Sequence, residues 1–193
     1  MRYTVTTQIY SNCPVFENND FMLRQTKMAD KADLFKVCSD KKAVPFFNSD
    51  NCDGDTFFYD TLAKMEQAIS YWNLEYKNYG FVRFSIINKF TEEIIGTIEV
   101  FHRYSEIDMF NNYLILRMDL RSDFERSDVV MKLLRLIVDP LQTIFKCDNI
   151  ASKVVPLNTE RKKAFQEFGF SEVNEPLIGN DSKEYFHYFV LNK

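Results

Sequence analysis

The chain has 193 residues and 46% hydrophobic residues, which suits one domain with a core of its own. Its net charge is −4 and its Lys and Arg residues are scattered, so no basic tract marks a nucleic-acid surface. No stretch approaches the roughly 20 consecutive apolar residues of a membrane span, and the opening MRYTVTTQIYSNCPVF is too polar for a signal peptide, so a soluble, cytoplasmic protein is expected.

Residues 1–20 read as an extension or a first strand of a single 1–193 domain. Phe21–Arg24 reads as a short strand, and Asp30 is positioned to cap a helix whose apolar positions include 34, 35 and 38. The stretch from Val44 to Asp60 carries aromatic pairs at both ends and reads as a loop or broken helix. Leu62, Met65, Ile69 and Trp72 recur at helical spacing, which predicts an amphipathic helix over 61–77.

After Asn78-Tyr79-Gly80 the pattern changes to period two. Three strands are expected, over 81–87, 94–101 and 113–120, and residues 88–93 are a hairpin-length link between the first two. A turn over 121–127 opens a long helix striped by Val130, Leu133, Leu134, Ile137, Val138, Leu141, Ile144 and Phe145, which Pro140 should kink or divide. Then follow a strand over 150–155, a short helix from Asn158 to Phe168 closed by Gly169, and a last strand over 185–191.

Several of these segments fall in a familiar order. Ile94-Ile95-Gly96-Thr97-Ile98 is followed by the strand 114–120 and by a loop and long helix from Phe124. Next come Val154-Val155-Pro156-Leu157-Asn158 and Phe165-Gln166-Glu167-Phe168-Gly169-Phe170. Together with Leu23-Arg24 and Met28-Ala29-Asp30, this layout resembles the GNAT superfamily of N-acetyltransferases, and within it the ribosomal-protein N-terminal acetyltransferases. The resemblance spans about residues 21–190. It implies an α+β fold: a twisted, mixed, mostly antiparallel sheet with helices on both faces. It also implies an acetyl-CoA co-substrate and direct attack by a primary amine, on a small molecule or a peptide N-terminus, in a monomer or homodimer.

The family's Arg/Gln-x-x-Gly-x-Gly/Ala loop lets backbone amides at a helix N-terminus approach the coenzyme pyrophosphate. The matching hexapeptide here is Glu125-Arg126-Ser127-Asp128-Val129-Val130, with Asp128 and Val130 in place of the small residues. Ser127 or Asp128 suits an N-cap, and the Asp128 carboxylate would compete for the amides a phosphate uses. By the same resemblance, the backbone of Met118, Asp119 and Leu120 would meet the pantetheine arm, and Asn158 would lie near it. Asn158 is equally a helix N-cap.

The cofactor-side candidates are therefore Met118, Asp119, Leu120, Arg126, Ser127, Asp128, Val129, Val130, Asn158 and Phe165. Relatives often carry a Tyr acid at the position of Phe165 and a Glu near Ile115, so both customary catalytic positions are apolar here. Glu99 and His102 remain as candidate bases, each with an ordinary structural role as the alternative. The aromatic segment 45–59 and the helix 61–77 would border an acceptor pocket.

Asn51-Cys52-Asp53-Gly54-Asp55 reads as an Asp-Gly turn rather than a calcium loop, and no metal site is expected. Cys13, Cys38, Cys52 and Cys147 lack ligand spacing and read as reduced thiols. Two functions stay open: acetyl transfer, with the coenzyme held at the loop or by a basic residue outside it, and a non-catalytic binding domain that has lost the coenzyme.

Overall fold

The computed structural model describes residues 8–192. Elements follow in the order α1 (Gln8–Ser11), β1 (Phe16–Glu17), β2 (Phe21–Gln25), α2 (Lys31–Cys38), α3 (Leu62–Lys77), β3 (Val82–Asn88), β4 (Ile94–Arg103) and β5 (Tyr113–Leu120). The chain continues through α4 (Ser127–Phe145), β6 (Ile150–Lys153), α5 (Thr159–Phe168), β7 (Ser171–Glu172), β8 (Leu177–Ile178), β9 (Glu184–Tyr185) and β10 (Tyr188–Leu191). The main sheet has the order β1-β2-β3-β4-β5-β6-β10-β7, antiparallel except at β5 and β6. The expected α+β class, the hairpin 88–93 and the helix 61–77 are all present. Residues 1–7 of the proposed extension lie outside the described residues.

Period-two alternation gives the sheet two different faces. One face carries Val82, Phe84, Ile98, Val100, Leu116 and Met118 and packs on the apolar stripe of α4. The other meets α2 and α3 through Leu34, Met65, Ile69 and Trp72. Gly96 lies where β4 runs tightest against β5: a Cβ there would collide with the Asp119 carbonyl and sit 3.0 Å from Leu120 Cα. Gly169, at φ 116°, closes α5 in the left-handed conformation that favours glycine.

Three local expectations need correction. Asp30 does not cap α2 with its side chain; it turns inward to Arg24 (2.7 and 2.8 Å), Ser85 and the Lys27 amide, because a buried carboxylate needs more partners than a cap supplies. Helix α4 runs through Pro140 to Phe145, held by its continuous apolar stripe against the sheet. The strand expected over 185–191 is split at His187, whose φ of 69° turns the chain. Residues 184–185 pair with β8 and only 188–191 join the main sheet.

Candidate functional site

Hydrophobic alternation in β3, β4 and β5 is interrupted on the α2/α3 face by six polar side chains. Register sets Arg83 beside Glu99 and Glu99 beside Arg117, and one step along it sets Ser85, Thr97 and Asp119 in a second row. All six are buried. Arg83 grips Glu99 through Nε (3.2 Å) and Nη2, and donates through Nη1 to Thr97 (3.1 Å) and Asp119 (3.4 Å). Arg117 donates to the second Glu99 oxygen at 2.8 Å and to the Asp50 carbonyl at 2.7 Å. The Arg83 guanidinium also lies 4.1 Å from the Trp72 ring centroid and 5.1 Å from that of Phe57.

The two carboxylates respond in opposite ways. Burial alone would raise the pKa of Glu99, but Arg83 and Arg117 hold it below the ordinary range. Asp119 is raised, because burial outweighs its longer, shared contact with Arg83.

Over this row opens a cavity of about 460 Å³. Its buried end is made by Arg83, Glu99, Arg117, Trp72 and Phe57, and its solvent end by Asp53, Asp55, Glu75 and Asn180. The aromatic segment expected to border a pocket does so, and α3 contributes Tyr71, Trp72 and Glu75.

Beside the cavity, β5 and β6 pair only at Leu114–Ile150 and Ile115–Ala151. Beyond those pairs β5 continues to Leu120 bonded to β4 alone, so the two parallel strands part. Residues 46–50 strap this opening. The Phe46 carbonyl accepts from Arg161 of α5 (3.3 Å) and the Asn48 amide donates to Asp119 (3.3 Å). The Asp50 carboxylate takes Lys153 of β6 (2.6 Å) and the Tyr188 hydroxyl of β10 (3.2 Å).

At the start of α4 the hexapeptide 125–130 is tied to α5. Glu125 is buried and receives two bonds from Arg161, at 2.7 and 2.6 Å, and one from Asn158 Nδ2 at 2.8 Å. Asn158 Oδ1 meanwhile caps α5 at the Arg161 amide (3.0 Å). The Ser127 amide donates to the Glu160 carboxylate at 2.9 Å. The expectation that Ser127 or Asp128 caps α4 is therefore corrected: the N-cap residue is Arg126, and Asp128 pairs outward with that arginine at 3.1 Å. A carboxylate already lies where a pyrophosphate would need amides, two more flank it at Glu125 and Asp128, and Asn158 has both ends engaged. These residues do not fit the coenzyme pyrophosphate.

The other sequence candidates lie on several elements. The side chains of Met118 and Leu120 from β5, of Val129 and Val130 from α4 and of Phe165 from α5 are buried in the main core, Phe165 packing on Phe170 and Phe189; the contact expected of Met118–Leu120 is one of backbone and does not depend on those side chains. His102 lies three residues from Glu99 and so on the other sheet face, where it meets Asn112 (2.8 Å), Tyr104 (3.3 Å) and the edge of Phe145. Burial lowers its pKa. Glu99 and His102 are thus not brought together. Sequence reasoning missed Arg83, Arg117 and Glu160; the signal for the arginines was charge at alternate positions of otherwise apolar strands. Within the calcium-like stretch, Asn51 Oδ1 accepts from the Asn180 amide at 2.8 Å and Asp55 from the Phe57 amide at 2.7 Å.

No family model and no curated protein matches the chain. Solved structures do. A GNAT-family acetyltransferase from Bacillus anthracis matches at a TM-score of 0.68 over 93% of this chain and 98% of its own, with 10% identity. Ribosomal-protein-S5-alanine acetyltransferase from Vibrio fischeri gives 0.66 over 93% and 96%, at 16% identity. RimJ from Mycobacterium smegmatis, in complex with CoA-disulfide, gives 0.64 over 89% and 80%, also at 16%. The likeness establishes the fold: the chain has the mixed sheet and flanking helices of the GNAT acetyltransferases.

Proposed function

We propose that this GNAT-fold chain is a ligand-binding domain whose coenzyme entrance is filled by its own side chains, and whose working site is the cavity over Arg83, Glu99 and Arg117. The observation that carries this reading is the Glu160 carboxylate on the Ser127 amide, backed by the buried Glu125–Arg161 pair. An anion would have to displace the Glu160 carboxylate from the Ser127 amide, at a helix start where Arg161 and Arg126 are already paired with Glu125 and Asp128. Calorimetry with acetyl-CoA tests it. The native chain should give no saturable heat, whereas an Asp128→Gly, Glu160→Ala variant should gain binding. Micromolar binding by the native chain sinks the reading.

A second reading is acetyl transfer from acetyl-CoA to a primary amine, small or peptidic, by a cytoplasmic monomer or homodimer. The parting of β5 and β6 favours it, as do the acetyltransferases that share the fold. On that reading Asp119 is the carboxylate best tuned to accept a proton. Glu99 is held ionised by two guanidiniums, and His102 faces the opposite side of the sheet. Release of free thiol from acetyl-CoA in the presence of an amine panel, abolished by Asp119→Asn, would establish it.

A further inference from the structure

The cavity that the proposed function relies on has an uneven distribution of charge and of free acceptors, and this narrows its ligand. At the buried end every strong acceptor is engaged. Glu99 is held by Arg83 and Arg117, and Asp119 by Arg83 and the Asn48 amide. The guanidinium of Arg83 is committed to those carboxylates and to Thr97, and that of Arg117 to Glu99 and the Asp50 carbonyl through Nη1 and Nη2, while Arg117 Nε is buried without a partner. An anionic ligand would have to displace one of these bonds or uncover the buried Arg117 Nε, and it would do so beside Glu99. At the solvent end Asp55 is bonded to the Phe57 amide and the Tyr59 hydroxyl, both at 2.7 Å. Asp53 and Glu75 carry no hydrogen bond on their carboxylates among the described residues. Lys183, whose charge is felt by Asp53, pairs with Asp181 at 2.9 Å.

Between the two ends the walls are aromatic. Trp72 and Phe57 already stack on one cation, the guanidinium of Arg83, while Phe81 and Tyr71 meet edge to face at 6.2 Å nearer the mouth. The volume of about 460 Å³ falls in the range of roughly 300–1,000 Å³ usual for small-molecule sites. We infer that the cavity binds a small organic cation on a flat apolar body, recognised through its charge and its ring faces rather than through N–H donation. Ring faces attract positive charge whether or not it carries protons, and no unengaged acceptor waits at depth to demand an N–H. Asp53 and Glu75 supply the attracting field at the mouth, where water competes for any direct bond. A quaternary ammonium, which has no N–H and cannot be acylated, therefore belongs to the ligand class.

The inference rests on the cavity being the working site, and its test separates the two. Trp72 is the sole tryptophan of the chain and forms part of the wall, so its emission reports occupancy directly. The full chain is titrated with benzyltrimethylammonium, with phenethylamine, and with the size-matched anion 3-phenylpropionate. Both cations should perturb Trp72 emission and saturate about tenfold or more below the anion, the margin expected where ring faces and acids cooperate. An Asp53→Asn, Glu75→Gln variant with an unchanged melting temperature should lose most of that margin.

Equal or tighter binding of the anion overturns the inference, as does failure of both cations to bind. Binding of the primary amine alone overturns the claim that charge suffices. Acetyl-CoA is titrated in parallel. If it binds and the cations bind too, the closed-entrance reading fails and this inference stands; if neither binds, this inference alone fails.

Discussion

Two buried carboxylate–guanidinium clusters flank the strap 46–50, and they do opposite things with the same chemistry. In the row Arg83–Glu99–Arg117, three strands in register hold the charges flat on the sheet, and aromatic residues of α3 and the 51–57 loop stand over them without filling the space. In the knot Glu125–Asn158–Arg161, the starts of two helices are tied together by three side-chain hydrogen bonds to one buried carboxylate. A rigid sheet can present ions to a cavity, whereas converging helix termini consume the amides they would otherwise offer to a ligand.

The largest expected effect comes from removing the shared carboxylate of the row. Glu99→Ala leaves two buried guanidiniums without their main partner and should cost about 3–5 kcal/mol, read from urea unfolding. A cost near zero would mean that the row is open to water. Arg161→Ala strands Glu125 in the knot, but Asn158 still donates to it, so a loss nearer 3 kcal/mol is expected. A loss larger than that of Glu99→Ala would reverse the ranking of the two clusters. Gly96→Ala drives a methyl into the β5 backbone at Asp119 and should cost about 1–3 kcal/mol, disturbing the row and leaving the knot intact.

Acidity sharpens the contrast within the row. Glu99 has a depressed pKa, so its contribution is complete above the unfolded-state value of about 4.3 and is lost as pH falls through the lower folded value. The urea midpoint should fall on acidification below about pH 4.3, and less steeply in Glu99→Gln. Asp119 runs the other way. Its raised pKa means stability present below the unfolded value of about 3.9 and lost as pH rises through the folded one, so the advantage of Asp119→Asn over the native chain should grow towards neutrality. The smallest effect is that of Glu160→Ala, exposed on α5, which should leave the melting temperature unchanged while freeing the Ser127 amide.

Much of this architecture was legible in the chain. Period-two runs gave β3, β4 and β5, the stripe from Val130 to Phe145 gave α4, and Gly169 marked the end of α5. These signals are local, since each depends on which residues lie two, three or four positions apart. The ordered segments from Ile94 to Phe170 also pointed to the fold that the solved structures share. The altered hexapeptide 125–130 stood out in the sequence, but it directed attention to Asp128, which the structure turns outward to Arg126.

What sequence alone determined, then, is the longer elements, their order and the sheet's two faces, because backbone periodicity fixes which side chains point together; the two-residue strands and the break at His187 it did not show. Only the tertiary structure decided which charges meet. Arg83, Glu99 and Arg117 are brought together by strand register, Glu160 reaches Ser127 across 33 residues, and Asp50 reaches Lys153 across 103. Desolvation and pairing energies depend on those distances and on burial, and neither quantity exists until the chain has closed on itself.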